Sequence, residues 1–370
     1  MGRIRFPAAA AATGLILFSI AFSSSAAAGQ APPAAKGITI KDAAGRTVHL
    51  DALPQRIIAV GEGPYILAHL LYMFPEGRGR LLGMERRGPI ASEFLPLVDP
   101  GFEVDKLFLA MNPGPEQIAP FKPDLVLTRG TKVDARALAL GRIGIPIIFL
   151  DTEDFDGYAR DLRILGQILG NSARAEELAA FFRERQEAVA RGLAGLAEAD
   201  KPRLLLAMVI PRGERIAVQV PARAWIQTRM AQAAGAYPVW TESAQPSSGW
   251  TVVNLEQIAQ WNPDRIDLIV WHSLEPAKVL ADFRADPRWA ALKAVRTGEF
   301  RIFPADAYGW DLPDPRWILG LQWLAAGLHP KRFPGLDIER EMEGFFGRLF
   351  GLDRTAVSSR IRPLIRMKLK

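Results

Sequence analysis

The chain contains no cysteine. That absence excludes disulfides, thiolate metal sites and the lipid-anchoring cysteine of a bacterial lipoprotein. Histidine is scarce: the four are His49, His69, His272 and His329, and none lies three or four residues from another. Capture of zinc or manganese by a histidine cluster is therefore not expected. There is no P-loop and no Ser–His–Asp pattern, and Gly61-Glu62-Gly63 lacks the third glycine of a dinucleotide fingerprint. The one apolar run near the N-terminus, Ala8–Phe22, is too short to span a bilayer. Acid falls short of base, giving a formal charge of +6. Much of that excess lies in the tail 353–370, at Arg354, Arg360, Arg362, Arg366, Lys368 and Lys370. It reads as a solvated, partly disordered end, with no nucleic-acid partner implied.

The 370 residues suit two domains better than one. A hydrophobic content of 49% against 23% charged is ordinary for globular protein and supports sizeable cores. Residues 1–28 read as a signal peptide. Arg3 and Arg5 supply the positive end, Ala8–Phe22 the apolar stretch, and Ala26-Ala27-Ala28 a small-residue cleavage site. Residues 29–37 read as a flexible leader, and the mature chain is expected to be exported and free of a lipid anchor.

One phrase occurs twice. PEQIAPFKPDLVL begins at Pro115 and LEQIAQWNPDRIDLIV at Leu255. In each, a short helix, an aromatic (Phe121, Trp261), a Pro-Asp turn (Pro123-Asp124, Pro263-Asp264) and an apolar strand follow in order. A repeat of one α/β building block predicts two lobes of similar topology. The first, 38–154, opens with a strand pair, Ile38–Ile40 and Thr47–Leu50, followed by strands Arg56–Val60, Arg80–Met84, Asp124–Thr128 and Pro146–Leu150. The second, 201–352, contributes strands Arg203–Val209, Asp267–Trp271 and Arg301–Phe303. Alternating strands and helices predict an α/β fold of two Rossmann-like lobes with parallel sheets. Between them, 155–200 holds linking helices. Phe155–Leu169 stops at Gly170-Asn171, and Ser172 is placed to cap a long helix running to about Leu196. Leu178, Phe182, Val189, Leu193 and Leu196 share its one apolar face, so this helix is expected to be a rigid strut.

Ile38–Arg46, then Pro54-Gln55-Arg56-Ile57-Ile58-Ala59, resembles the opening of the periplasmic binding proteins of iron–siderophore, haem and cobalamin ABC importers. The Pro115-Glu116-Gln117-Ile118 segment and the long interlobe helix look like the same class. Trp310-Asp311-Leu312-Pro313-Asp314-Pro315 with Leu319–Ala325 is similar to a subgroup that includes molybdate and tungstate binders. The resemblance covers roughly residues 38–350. It implies a monomeric carrier that delivers a metal chelate or an oxyanion to an ABC permease in the inner membrane, without a cofactor. In many relatives a glutamate at the start of the first helix of each lobe docks on the permease. Gly63–Leu67 and Ala224–Arg229 carry no acid there; Glu62 and Glu242 stand nearest.

In open α/β sheets, ligands sit beyond the carboxyl ends of the strands. That rule selects Glu62 and Tyr65, then Arg86 and Arg87, then Arg129 in the first lobe. In the second it selects His272, then Tyr308 and Trp310, with Trp250 in the turn before the repeated phrase. The first lobe offers cations that neutralise a carboxylate or oxyanion, and the second offers aromatic surface that covers a flat chelate. The backbone N–H groups of Gly61–Gly63 also suit a bare oxyanion. Glycine neighbours favour exposure of Trp250 and Trp310. Trp271 closes a buried strand and is expected in the core, as are Trp317 and Trp323 on a helix begun by Asp314-Pro315. An enzyme on the same frame, such as a chelatase using Glu62 and His272 as acid and base, is the rival reading; the carrier is the expectation.

Overall fold

The computed structural model describes residues 37–86, 94–213 and 215–365. Residues 1–36, on which the expected signal peptide and most of the expected leader fall, lie outside the described residues, as do Arg87 and the last five residues. Among the described residues no helix is long and apolar enough to cross a membrane.

A two-stranded antiparallel ribbon, β1 (Ile38–Lys41) and β2 (Thr47–Leu50), opens the fold. Asp42 closes its turn by accepting from the backbone of Ala44 and Arg46. The first sheet holds β3 (Ile57–Val60), β4 (Leu81–Glu85), β5 (Leu107–Leu109), β6 (Leu125–Arg129) and β7 (Ile147–Leu150). Their order is β5-β4-β3-β6-β7, and every pairing is parallel. Strand β3 sits at the centre and is wholly buried. Its unbroken apolar run, with no polar alternation, is what burial on both faces requires.

The second sheet holds β8 (Arg203–Arg212), β9 (Arg215–Val220), β10 (Tyr237–Pro238), β11 (Thr251–Val253), β12 (Arg265–Val270) and β13 (Phe300–Ile302). Strands β8, β12 and β13 run parallel. Strands β9 and β11 are antiparallel additions at one edge, so this sheet is mixed where sequence patterning predicts an all-parallel one. The α/β class and the pair of sheets are as expected.

The repeated phrase performs one job in both sheets. Asp124 accepts from the backbone N–H of Gln55 (2.7 Å) and Arg56 (2.8 Å), at the entrance to β3. Asp264 accepts from the N–H of Arg203 (2.9 Å), at the entrance to β8. The arginine at each entrance donates to carbonyls of the turn that leads into the later strand, Phe121 and Lys122 before β6 in one case and Trp261 before β12 in the other. Each turn passes through a left-handed residue, Lys122 (φ 47°) or Asn262 (φ 44°). The repeat is a knot at the amino ends of the strands, opposite the end where a ligand is expected.

Helix α1 (Pro64–Tyr72) follows β3; α2 (Phe155–Leu169) and α3 (Ser172–Gly192) follow β7. The cap of α3 is Asn171, which accepts from the Arg174 N–H, and Ser172 is already helical. Helix α3 ends at Gly192, four residues short of Leu196. Tyr158 of α2 packs on Phe182 of α3, and Phe182 stacks on Trp317 of α5 (Trp317–Leu328) at 5.5 Å. Trp317 and Trp323 are core residues as expected. Helix α6 (Ile338–Phe350) precedes a segment expected to be solvated. Residues 353–365 instead lie against the protein: Val357 and Ile361 are buried, and Arg354 and Arg362 pair with Glu343 and Glu339 of α6. Two apolar residues at helical spacing give that segment an anchoring face.

Candidate functional site

The first sheet reverses its winding direction between β3 and β6, so the loops after those strands are where a crevice is expected. The loop after β3 is Gly61-Glu62-Gly63, with φ of 90° at Gly61 and 66° at Gly63. A Cβ on Gly61 would lie 2.4 Å from the Thr128 hydroxyl. Glycine is thus required there both for the backbone and for the close approach to β6.

Arg129 ends β6. Its Nε donates to the Glu62 carbonyl (3.2 Å) and its Nη1 to Glu153 Oε1 (2.8 Å). The other oxygen of Glu153 accepts from the N–H of Ile226 at 3.4 Å. Ile226 opens α4 (Ile226–Ala233), which follows β9 of the second sheet. Burial raises the Glu153 pKa, and the Arg129 guanidinium opposes that rise. Beside Ile226, the ring of Trp225 meets the half-buried Trp250 edge-on at 5.5 Å.

Two further charges close this rim. Glu85, at the buried end of β4, accepts from the N–H of Gly61 (2.7 Å) and Asn112 (2.9 Å) and lies 3.8 Å from Arg136. Arg86 is exposed, pairs with Glu103 at 3.0 Å and covers the Phe108 ring. The Gly61 N–H, expected to be available to an oxyanion, is therefore already donated to a carboxylate.

The seam between the sheets continues through α1. Tyr65 stacks on Tyr308 with ring centroids 4.9 Å apart. One turn further, His69 meets Tyr308 edge-on at 4.7 Å and donates from Nδ1 to Asp314. Asp314 also accepts from Arg316 (2.8 Å), Arg316 reaches Asp306 (2.8 Å), and Asp306 accepts from Trp310 Nε1 (3.0 Å). Every member of this chain is buried. Burial lowers the His69 pKa, with Asp314 pulling the other way. Burial alone would raise Asp314, but Arg316 and His69 outweigh it and hold that carboxyl below the usual range. Asp311 has no guanidinium partner of this kind, and burial pushes it up to about 6.

The structure brings together Glu62, Arg129, Tyr65 and Tyr308 at the seam, with Trp250 next to the contact that joins Arg129 to α4. His272 is half-buried at the tip of β12 against Trp271. Arg87 lies outside the described residues. Two expectations about tryptophan reverse. Trp310 is fully buried, because its indole N–H is satisfied by Asp306 inside the loop after β13. Trp271 is 40% exposed, although its backbone N–H still bonds to Val209 of β8 one residue past the end of β12. Sequence reasoning missed Glu153. It follows β7, and the strand-tip rule used for the other loops finds it when applied there as well. His69 was passed over because nothing in its helix signals Asp314, 245 residues away.

Comparison with known proteins decides the family. The model described as "Periplasmic binding protein" matches residues 99–307, more than half of the chain. The chain belongs to the periplasmic binding protein family. Among solved structures, a periplasmic solute binding protein from Veillonella parvula aligns with a TM-score of 0.71 at 20% identity, covering 90% of this chain and 98% of that one. MolA of Haemophilus influenzae, bound to molybdate, aligns at 0.69 and 18%, covering 85% and 98%. Helicobacter pylori CeuE, in a nickel–histidine complex, aligns at 0.68 and 17%, covering 88% and 99%. By sequence, the molybdate-binding protein MolA is 30% identical over 122 residues. That match spans about a third of this chain and a third of MolA (33% of each). This periplasmic binding protein thus shares its fold with proteins of differing ligands.

Proposed function

We propose that this periplasmic binding protein is the solute-binding component of an ABC importer. In this reading residues 38–154 and 201–352 act as two lobes, 155–200 links them, and a metal chelate such as a ferric siderophore, haem or cobalamin is held at the seam. One observation carries the proposal: the loop at the switch point of the first sheet reaches the second sheet through Arg129, Glu153 and Ile226, with aromatic rings flanking the contact. Trp225, Trp250, Tyr65 and the exposed Trp271 offer flat apolar surface of the kind a large organic chelate covers. The exposed Glu62 and Glu242 are proposed to dock on the permease, and the carrier to act as a monomer in the periplasm.

A molybdate or tungstate carrier is the second reading, favoured by the sequence match to MolA. A chelatase-like enzyme is the third and has only the positions of Glu62 and His272 in its favour. Titration with a ferric trihydroxamate, haem, cobalamin and molybdate, followed by tryptophan fluorescence, separates these readings. A chelate is expected to saturate at one site per chain without turnover, and Trp250→Ala to weaken it about tenfold, the loss of roughly one aromatic contact. Saturation by molybdate alone would favour the second reading.

A further inference from the structure

The described arginines at the carboxyl end of the first sheet share a feature: each faces a carboxylate of the same chain. Arg86 pairs with Glu103 (3.0 Å), Arg129 with Glu153 (2.8 Å) and Arg136 with Glu85 (3.8 Å). Glu62 adds an exposed negative charge and Lys132 an exposed positive one. An oxyanion arriving here meets guanidinium groups whose charge is already balanced, and it must displace a carboxylate or be repelled by it.

The Glu153 pair differs from the other two. The Arg86–Glu103 pair is largely exposed, and water screens it. Glu85 knots three backbone segments and belongs to the frame. Glu153 is shielded, with side-chain exposure of 21% against 14% for Arg129, and it alone touches both sheets' elements. It lies between a guanidinium of one and a backbone N–H of the other, the two kinds of donor an anionic solute would use.

We propose that Glu153 is a specificity determinant: an internal carboxylate that occupies Arg129 and sets the seam to accept solutes of little net charge in preference to oxyanions. The proposal rests on the seam being the binding cleft. Neutral chelates, whose metal charge is cancelled by their own ligand atoms, are the class that such a balanced rim admits. The raised pKa of the half-buried Glu153 carboxyl accords with a group poised beside the seam and not fully stabilised as an anion.

The test is calorimetric titration of the mature chain with molybdate and with sulfate, for the wild type and for Glu153→Gln. Glutamine keeps the shape and removes the charge; its one oxygen still accepts from Arg129 or from Ile226, while its NH2 group cannot accept from the other. Wild type is expected to bind either dianion weakly, and Glu153→Gln to bind at least about tenfold more tightly. Adding Arg129→Gln should abolish the gain. Tight wild-type binding of molybdate overturns the inference and supports the oxyanion reading. Equal weak affinity in both proteins overturns the inference while leaving the chelate reading to its own titration. If Glu153→Gln does not fold, Glu153→Ala removes the same charge without setting an amide donor against Ile226, and an unchanged affinity for molybdate and sulfate there overturns the inference.

Discussion

Asp124 and Asp264 show how one residue type at one spacing sets up each sheet. Each carboxylate ties the entrance of a first strand to the turn before a later one. Asp124 accepts two backbone N–H groups, and losing it leaves both without that partner. Asp124→Ala is therefore expected to lower unfolding stability by about 1–3 kcal/mol in urea denaturation, and Asp264→Ala by a similar or smaller amount. Asp311 makes the opposite case. Its carboxyl is fully buried and its pKa is raised to about 6. A raised carboxyl favours folding when protonated. Its ionisation therefore costs nothing below the unfolded value, and the cost grows as pH rises to about 6 and is complete above that. Asp311→Asn should be more stable than wild type at pH 7.5, by up to about 3 kcal/mol, with the gap closing toward pH 4. A constant gap across that range would remove burial of the charge as the cause.

Helix α1 places an imidazole in the seam. His69 prefers to be neutral when folded, because burial disfavours its charged form more than Asp314 favours it. A base with a depressed pKa contributes stability that is present above its unfolded value, near pH 6.5, and is lost as pH falls through the folded one. Against the opposite trend from Asp311, the His69 contribution to stability is expected to decline as pH falls below 6.5, and His69→Gln should remove that component of the slope in denaturant titrations at each pH. The slope persisting unchanged would place the acid sensitivity elsewhere.

Legibility also divides at the level of elements. Buried strands such as Ile57–Val60, Leu125–Arg129 and Ile147–Leu150 declare themselves as apolar runs between turn residues. Strands β5 and β11 do not, because short edge strands owe their pairing to neighbours and not to their own composition. The same limit explains the two tryptophans. Trp271 stands at the end of β12 with its ring exposed, and Trp310 is buried because Asp306 folds under its loop; neither outcome is written in the neighbouring residues. Of the candidate site, the strand tips were legible from topology. The carboxylates facing the arginines were not, since Glu103 and Glu153 reach them only through the fold.

At the scale of the whole molecule, two sheets of one chain meet along a seam that is closed by buried polar and aromatic contacts at one part and lined by a charge-balanced rim at another. Helices α2, α3 and α5 stack behind it through Tyr158, Phe182 and Trp317. A frame packed this way transmits small rotations better than large ones, which suits the carrier proposed above. The claim on which the rest depends is that a metal chelate travels in the seam. Native mass spectrometry of the chain purified from the periplasm of its own host measures that directly. One non-covalent adduct per chain, with the mass and isotope pattern of a metal chelate and lost on mild activation, is the predicted spectrum. A bare chain from cells actively accumulating the metal, or an adduct with the mass of molybdate or tungstate, would contradict it.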